Sequence, residues 1–141
     1  MKKLTTKLMI AATVLVVTAG AASAQMLSAQ IPFEFRVGNQ TLAPGTYAVD
    51  RLVQSSAPVF RLWNARLRRS AIVLPQAQVD PQKGWAEGSP KLVFVCIGSR
   101  CALAELWAGS ESYAYTFSHP KPGKDEEAYL RAIPMQPGKG E

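Results

Sequence analysis

The chain is short of the residue types on which most enzyme chemistry rests. Its 141 residues include one histidine and two cysteines. That leaves one candidate base for a Ser-His-Asp arrangement and a poor ligand set for zinc. His119 stands between Ser118 and Pro120, and no spacing around it supplies an orienting third group; an exposed loop histidine is the expected reading. No phosphate-binding glycine loop, zinc-protease helix motif or nucleophile elbow occurs. Asp125-Glu126-Glu127 is the one run of carboxylates, and three adjacent acids usually form a solvated face or favour a helix N-terminus. The sequence therefore proposes no catalytic, cofactor-binding or metal-binding residues, and no cofactor.

Long hydrophobic runs are lacking too. The apolar stretch from Leu8 to about Ala22 covers about fifteen residues, short of the roughly 20 that a helix needs to cross a bilayer. It follows a basic head, Met1 to Lys7, and ends in Ala22-Ser23-Ala24, the small-x-small pattern read by a signal peptidase. The expectation is a cleaved signal peptide over 1–24, with a retained membrane anchor as the alternative. No cysteine lies near the cleavage point, which excludes lipid attachment there. The mature chain, 25–141, is one ordinary domain, exported to the periplasm or beyond, with no transmembrane span. Cleavage also removes Lys2, Lys3 and Lys7, leaving 13 basic residues against 10 acidic ones. A net +3 is too weak to argue for a nucleic-acid partner.

What the mature chain does contain is a series of short strand patterns. Ile31, Phe33, Phe35 and Val37 alternate with Pro32, Glu34 and Arg36, the period of a strand with one buried face. Pro32 cannot donate to a ladder, so that strand begins there or lies on an edge. Ala43-Pro44-Gly45-Thr46 reads as a type II turn with glycine at positive φ. Further strands are expected over 47–52, 59–63, 71–74, 91–97, 101–107 and 113–117, with 76–79 as an extension of 71–74. Residues 126–133 fit a short helix capped by Asp125 or a last strand, and the domain, 25–134, is expected to end in a disordered tail from Met135. Seven or eight strands with short connections imply an all-β fold, an antiparallel meander closed into a small barrel or sandwich. Strands of this length, interrupted by Arg61, Arg68 and Arg69, do not suit an outer-membrane barrel.

The sharpest local signal is Cys96-Ile97-Gly98-Ser99-Arg100-Cys101. Gly98-Ser99 suits a two-residue type II′ hairpin turn. Ile97 then faces Arg100, and Cys96 stands opposite Cys101 at roughly 4.5–5.5 Å between α-carbons, within disulfide reach. Export and an even cysteine count favour a structural disulfide worth about 2 kcal/mol. Two buried thiols and a redox-active pair are the alternatives, although Cys-x4-Cys is not the thioredoxin spacing.

Two other groups of residues have both a functional and a structural reading. Arg61, Arg66, Arg68 and Arg69 form a candidate patch for an anionic surface or glycan, or else solvated charges that keep a sheet edge from pairing. The aromatics Phe33, Phe35, Tyr47, Phe60, Trp63, Phe94 and Trp107 recur at strand spacing and read as core, while Trp85 in the long 75–90 loop is expected to tuck back onto the domain, with a ligand platform as the alternative.

Ile31-Pro32-Phe33-Glu34-Phe35-Arg36-Val37-Gly38, with Leu42-Ala43-Pro44-Gly45-Thr46-Tyr47-Ala48-Val49, resembles the corresponding stretches of a group of small exported proteins common in acidobacteria. So do Lys91-Leu92-Val93-Phe94, Gly98 and Leu103-Ala104-Glu105-Leu106-Trp107. The chain departs from the group at Ala43, where proline is usual, and at Cys96 and Cys101. The resemblance implies export and a compact β-domain, and supplies no activity. The functional expectation is a non-enzymatic β-domain with a binding or structural role at the cell envelope, partnered by an envelope protein, a glycan or a small ligand. The alternative is a small-barrel carrier of an apolar or anionic ligand.

Intact-mass measurement on exported protein should give a chain beginning at Gln25 and lacking the hydrogens of both thiols. A precursor mass, or two alkylatable cysteines under oxidising conditions, contradicts the reading.

Overall fold

In a computed structural model, residues 26–53, 57–85, 88–109 and 113–138 are described. The expected signal peptide, its cleavage site and residues 139–141 lie outside them. The described chain is all-β, with no helix long and apolar enough to cross a membrane. Eleven strands follow one another: β1 (Leu27–Ile31), β2 (Phe35–Val37), β3 (Gln40–Leu42), β4 (Gly45–Val53), β5 (Val59–Asn64), β6 (Arg69–Val73), β7 (Ala77–Val79), β8 (Lys91–Ile97), β9 (Arg100–Trp107), β10 (Ala114–Thr116) and β11 (Ala128–Pro137). They form one sheet in the order β3-β2-β9-β8-β11-β1-β4-β5-β6, nearly closed into a barrel, with β10 on β9 and β7 on β10.

The meander holds for β4-β5-β6 and for β8-β9-β10; β11 returns between β8 and β1, and β2 runs parallel to β9. The strand count exceeds seven or eight because several predicted strands are broken at corners. The alternating run 31–37 is the end of β1 and the whole of β2 with a corner between them, and 71–79 is β6 and β7.

Those corners share a cause. One wall of the barrel contains β1, β4, β5, β6 and the end of β11; the other contains β2, β3, β7, β8, β9, β10 and the start of β11. The chain passes between walls at Pro32, between β3 and β4 at Pro44, between β6 and β7 at Pro75, and within β11 at Pro134. A proline has no N–H to give to a ladder, so hydrogen bonding on the first wall stops where the second begins. Residues 128–134 of β11 pair with β8 and residues 135–137 with β1. Met135 is fully buried, its N–H bonded to Pro90 O at 2.7 Å. The expected disordered tail is thus strand through Pro137, and 126–133 contributes strand, not helix. Pro134 turns the strand without ending it.

Aromatic rings fill the space between the walls. Phe35 meets Tyr47 at 5.2 Å and Phe94 at 5.3 Å between centroids, and Phe60 meets Tyr115 at 5.1 Å and Phe117 at 6.1 Å. Leu62, Leu92, Leu103, Leu106 and Met135 complete this interior. Trp63 is not part of it. Burial along β5 alternates, with Phe60, Leu62 and Asn64 inward, so Trp63 shares the outer face with Arg61. Phe33 is half-buried beside Phe94, with the Arg131 guanidinium 4.1 Å above its ring.

At the Pro44 corner the fully buried Tyr47 donates its hydroxyl proton to Ala43 O at 2.6 Å. This is a tyrosine corner, which satisfies the carbonyl exposed by the bend. Gly45 does not have the positive φ of the expected type II turn; it is the first residue of β4. Its small size matters for another reason: a Cβ there would lie 2.6 Å from Asn64 Nδ2. Asn64 is itself buried, and its Oδ1 accepts the Leu67 N–H at 3.1 Å, so it is poorly placed to move aside.

Gly45→Ala should therefore destabilise the domain by about 1–3 kcal/mol through overpacking, read from the denaturant midpoint. Part of that loss should be recovered in the Gly45→Ala, Asn64→Ala double variant. Strictly additive losses would mean that the two residues do not share one space.

Candidate functional site

The cysteine hairpin forms in the register expected. Gly98 has φ +63°, Ile97 pairs with Arg100, and Cys96 pairs with Cys101 with α-carbons 4.0 Å apart. Both cysteines are buried and bonded to each other. The hairpin is further tied to the last segment: Arg100 reaches Glu126 at 3.0 Å, and Tyr129 donates to Gly98 O at 2.9 Å. Glu126 also accepts the Gly123 N–H at 3.1 Å, so this carboxylate of the acidic run organises a turn. A concavity of about 110 Å³ lies beside the hairpin, lined by Arg36, Arg100, Lys121 and Glu126 among others.

His119 is in a loop, its Nδ1 3.1 Å from Pro120 O. Its surroundings hold one feature that spacing did not reveal. Glu105 stands on β9 opposite Val93 of β8 and Thr116 of β10. Burial pushes its carboxyl above the ordinary value, and the charge of nearby His119 pulls it partly back. Among the described residues, no three His, Cys, Asp or Glu side chains gather as a metal-binding group.

Trp85 folds back, as expected. Its ring lies 5.9 Å from that of buried Trp107, with Lys91 Nζ 5.3 Å from the Trp85 centroid and 6.0 Å from that of Trp107. This cluster covers one end of the β8-β9 hairpin.

The four arginines of the candidate patch separate into two groups. Arg61 is held on the outer face of β5 by Asp50 of β4, with Nη2 2.7 Å from Oδ2 and Nε 3.2 Å from Oδ1. That bidentate pair neutralises it. Arg66 and Arg68 are on the β5-β6 turn with Leu67 between them, and Arg69 opens β6 opposite Asn64, all three exposed. None of the three forms an ion pair among the described residues. Arg68 has φ +51°, a left-handed conformation that a residue with a Cβ adopts at a cost. The turn leads into β6, which among the described residues is an edge strand paired with β5 alone. Its side chains alternate: Ala71 and Val73 are buried, while Ile72 and the following Leu74 are 60% and 68% exposed. On the outer face Ile72 stands opposite Arg61 and Ser70 opposite Trp63. Sequence reasoning missed Ile72, Leu74 and Trp63 as surface groups. In the all-apolar run Ala71-Ile72-Val73-Leu74 no polar residue marks which side faces out.

A groove of about 460 Å³ is lined by Glu34, Thr41, Leu42, Ala43, Tyr47, Leu67 and Arg69, between the ends of the sheet, β3 and β6. Another, of about 590 Å³, crosses β1 and β11 and is lined by Ser28, Gln30, Gln136 and prolines, among others. Comparison with protein-family models, curated proteins and solved structures found no match.

The raised Glu105 gives a pH test. The folded state holds this proton more tightly than the unfolded chain, so the group's contribution to stability falls as pH rises from the ordinary carboxylate value through the folded one. Glu105→Gln should raise the thermal midpoint at neutral pH, and the gain should vanish below the ordinary carboxylate range. A gain that persists unchanged in acid would assign the effect to packing and not to charge.

Proposed function

We propose that this chain is an exported, non-enzymatic β-domain that acts through its outer surface, in a binding or structural role at the cell envelope. The observation that carries the reading is where apolar side chains are spent. The interior contains aromatic rings in mutual contact, while the β5-β6 hairpin exposes Leu67 among arginines that form no ion pair among the described residues, and Ile72 and Leu74 are exposed further along the chain. The second reading is a small-barrel carrier of an apolar or anionic ligand, which needs a cavity of a few hundred Å³; the groove of about 460 Å³ between β3 and β6 is the feature that favours it. Apolar side chains that gather into an exposed patch, as Trp63 and Ile72 do on the outer face beside Arg61, mark interaction surfaces. The resemblance to small exported proteins supports the same placement.

The test is to purify the protein from its own envelope and record native mass spectra beside a fractionation of the cell. Co-fractionation with the envelope, at the mass of the polypeptide without a retained small molecule, is the expected result. A stoichiometric small ligand carried through purification would favour the carrier, and protein found wholly in the cytoplasm would overturn both.

A further inference from the structure

We infer that the β5-β6 hairpin docks onto an anionic phospholipid surface, with its turn as the point of contact. The inference rests on the surface-binding reading above and names the occupant. Three observations support it together. The first is charge: from Leu62 to Val79 the chain carries Arg66, Arg68 and Arg69 and no acidic residue, and none of the three is paired among the described residues. Among the described residues the ion pair on the adjoining outer face is Arg61 with Asp50, already satisfied. Glu34 borders the same groove as Arg69 but forms no ion pair with it among the described residues, so the three charges stay available to an external anion.

The second is the apolar residue at the tip. Leu67 is 47% exposed with Arg66 on one side and Arg68 on the other. Exposed Trp, Leu and Ile beside Arg make up an interfacial side-chain set, in which cations meet headgroups and apolar groups enter the acyl boundary. Leu67 and Arg69 border the groove that also contains Leu42 and Tyr47, while Ile72 and the half-buried Trp63 stand on the adjoining outer face beside Arg61, so the contact is made by the turn. A glycan would use the arginines but gives no role to Leu67.

The third is rigidity. Asn64 is buried at the end of β5 and accepts the Leu67 N–H, and Gly45 packs against its amide. The turn is thereby fixed from inside, and Arg68 is held at positive φ within it. A tip whose conformation is set before contact loses little entropy on docking.

The test is co-sedimentation of the purified exported protein with vesicles of phosphatidylglycerol and phosphatidylcholine against vesicles of phosphatidylcholine alone. Binding is expected to the anionic vesicles, weakened by raising salt from about 0.1 M to about 0.5 M. Each arginine near such a surface is worth about fivefold in partitioning. Arg66→Gln with Arg69→Gln should therefore lower binding more than tenfold, and Leu67→Ser should lower it severalfold with the salt dependence unchanged. Both variants leave Asn64 and Arg68 in place, and matching circular dichroism confirms the fold. Arg66→Gln alone, expected to lose about fivefold, serves if the double variant does not fold. Inorganic phosphate at millimolar concentration should not compete; full competition would mean an isolated phosphate site and overturn the inference. Equal binding to both vesicle types, unchanged binding by the variants, or arginine-dependent binding to a soluble polyanionic glycan without vesicle binding would each overturn it too. If vesicles fail while the protein still fractionates with the envelope, the lipid assignment falls and the surface-binding reading stands.

Discussion

The two walls of this barrel exist because the hydrogen-bonded ladder is interrupted at set places, and each interruption is a proline. Pro32, Pro44, Pro75 and Pro134 stand at the four passages between walls. A strand that kept its N–H groups could continue along its neighbour; one that meets a proline loses a ladder bond and can bend at small further cost. The freed groups on either side then find new partners. Gln76 N–H bonds to Thr116 O, Met135 N–H to Pro90 O, and the Ala43 carbonyl takes the Tyr47 hydroxyl. The aromatic interior follows from the bends. Phe35 and Tyr47 come from opposite walls and meet because the corner at Pro44 separates β2 and β3 from β4.

The parts that were legible in the sequence are those decided locally. The turn at Gly98-Ser99 sets the register of β8 and β9, so the pairing of Cys96 with Cys101 could be read from six residues. Alternation over 31–37 correctly marked Ile31, Phe35 and Val37 as buried. It concealed the corner, because side chains can keep one phase relative to the core while the backbone changes wall. Pro134 was misread for a related reason: a proline near a C-terminus has the same local signature whether the strand stops or crosses. Met135, buried on the far side, distinguishes the two, and its partners Pro90 and Ala29 are remote in sequence.

Gly45 and Trp63 show the same limit at single residues. A glycine after proline reads as a turn residue through its own φ, whereas Gly45 is required by the volume of Asn64, which is 19 positions away. Trp63 reads as core by its chemistry, but its phase on β5 is set by Phe60 and Leu62. The candidate patch was legible as a group of arginines and illegible as a surface. Which of the four is neutralised depends on the Asp50–Arg61 rung between β4 and β5. Which apolar residues accompany the others depends on the phase of β6.

The rings that meet between the walls also support the outside of the barrel, because close-packed interiors hold their neighbours in place. The β5-β6 turn shows how that support reaches the surface. Tyr47 secures the Pro44 corner, Gly45 leaves room beside it for Asn64, and Asn64 holds the turn that presents Leu67 among the arginines. The core thus helps to set the shape of the cationic, apolar tip through the Asn64 bond to Leu67 and the pairing of Asn64 with Arg69. Loosening Asn64 would be expected to weaken surface binding without removing any contacting side chain, a dependence that a patch of independently mobile arginines would lack.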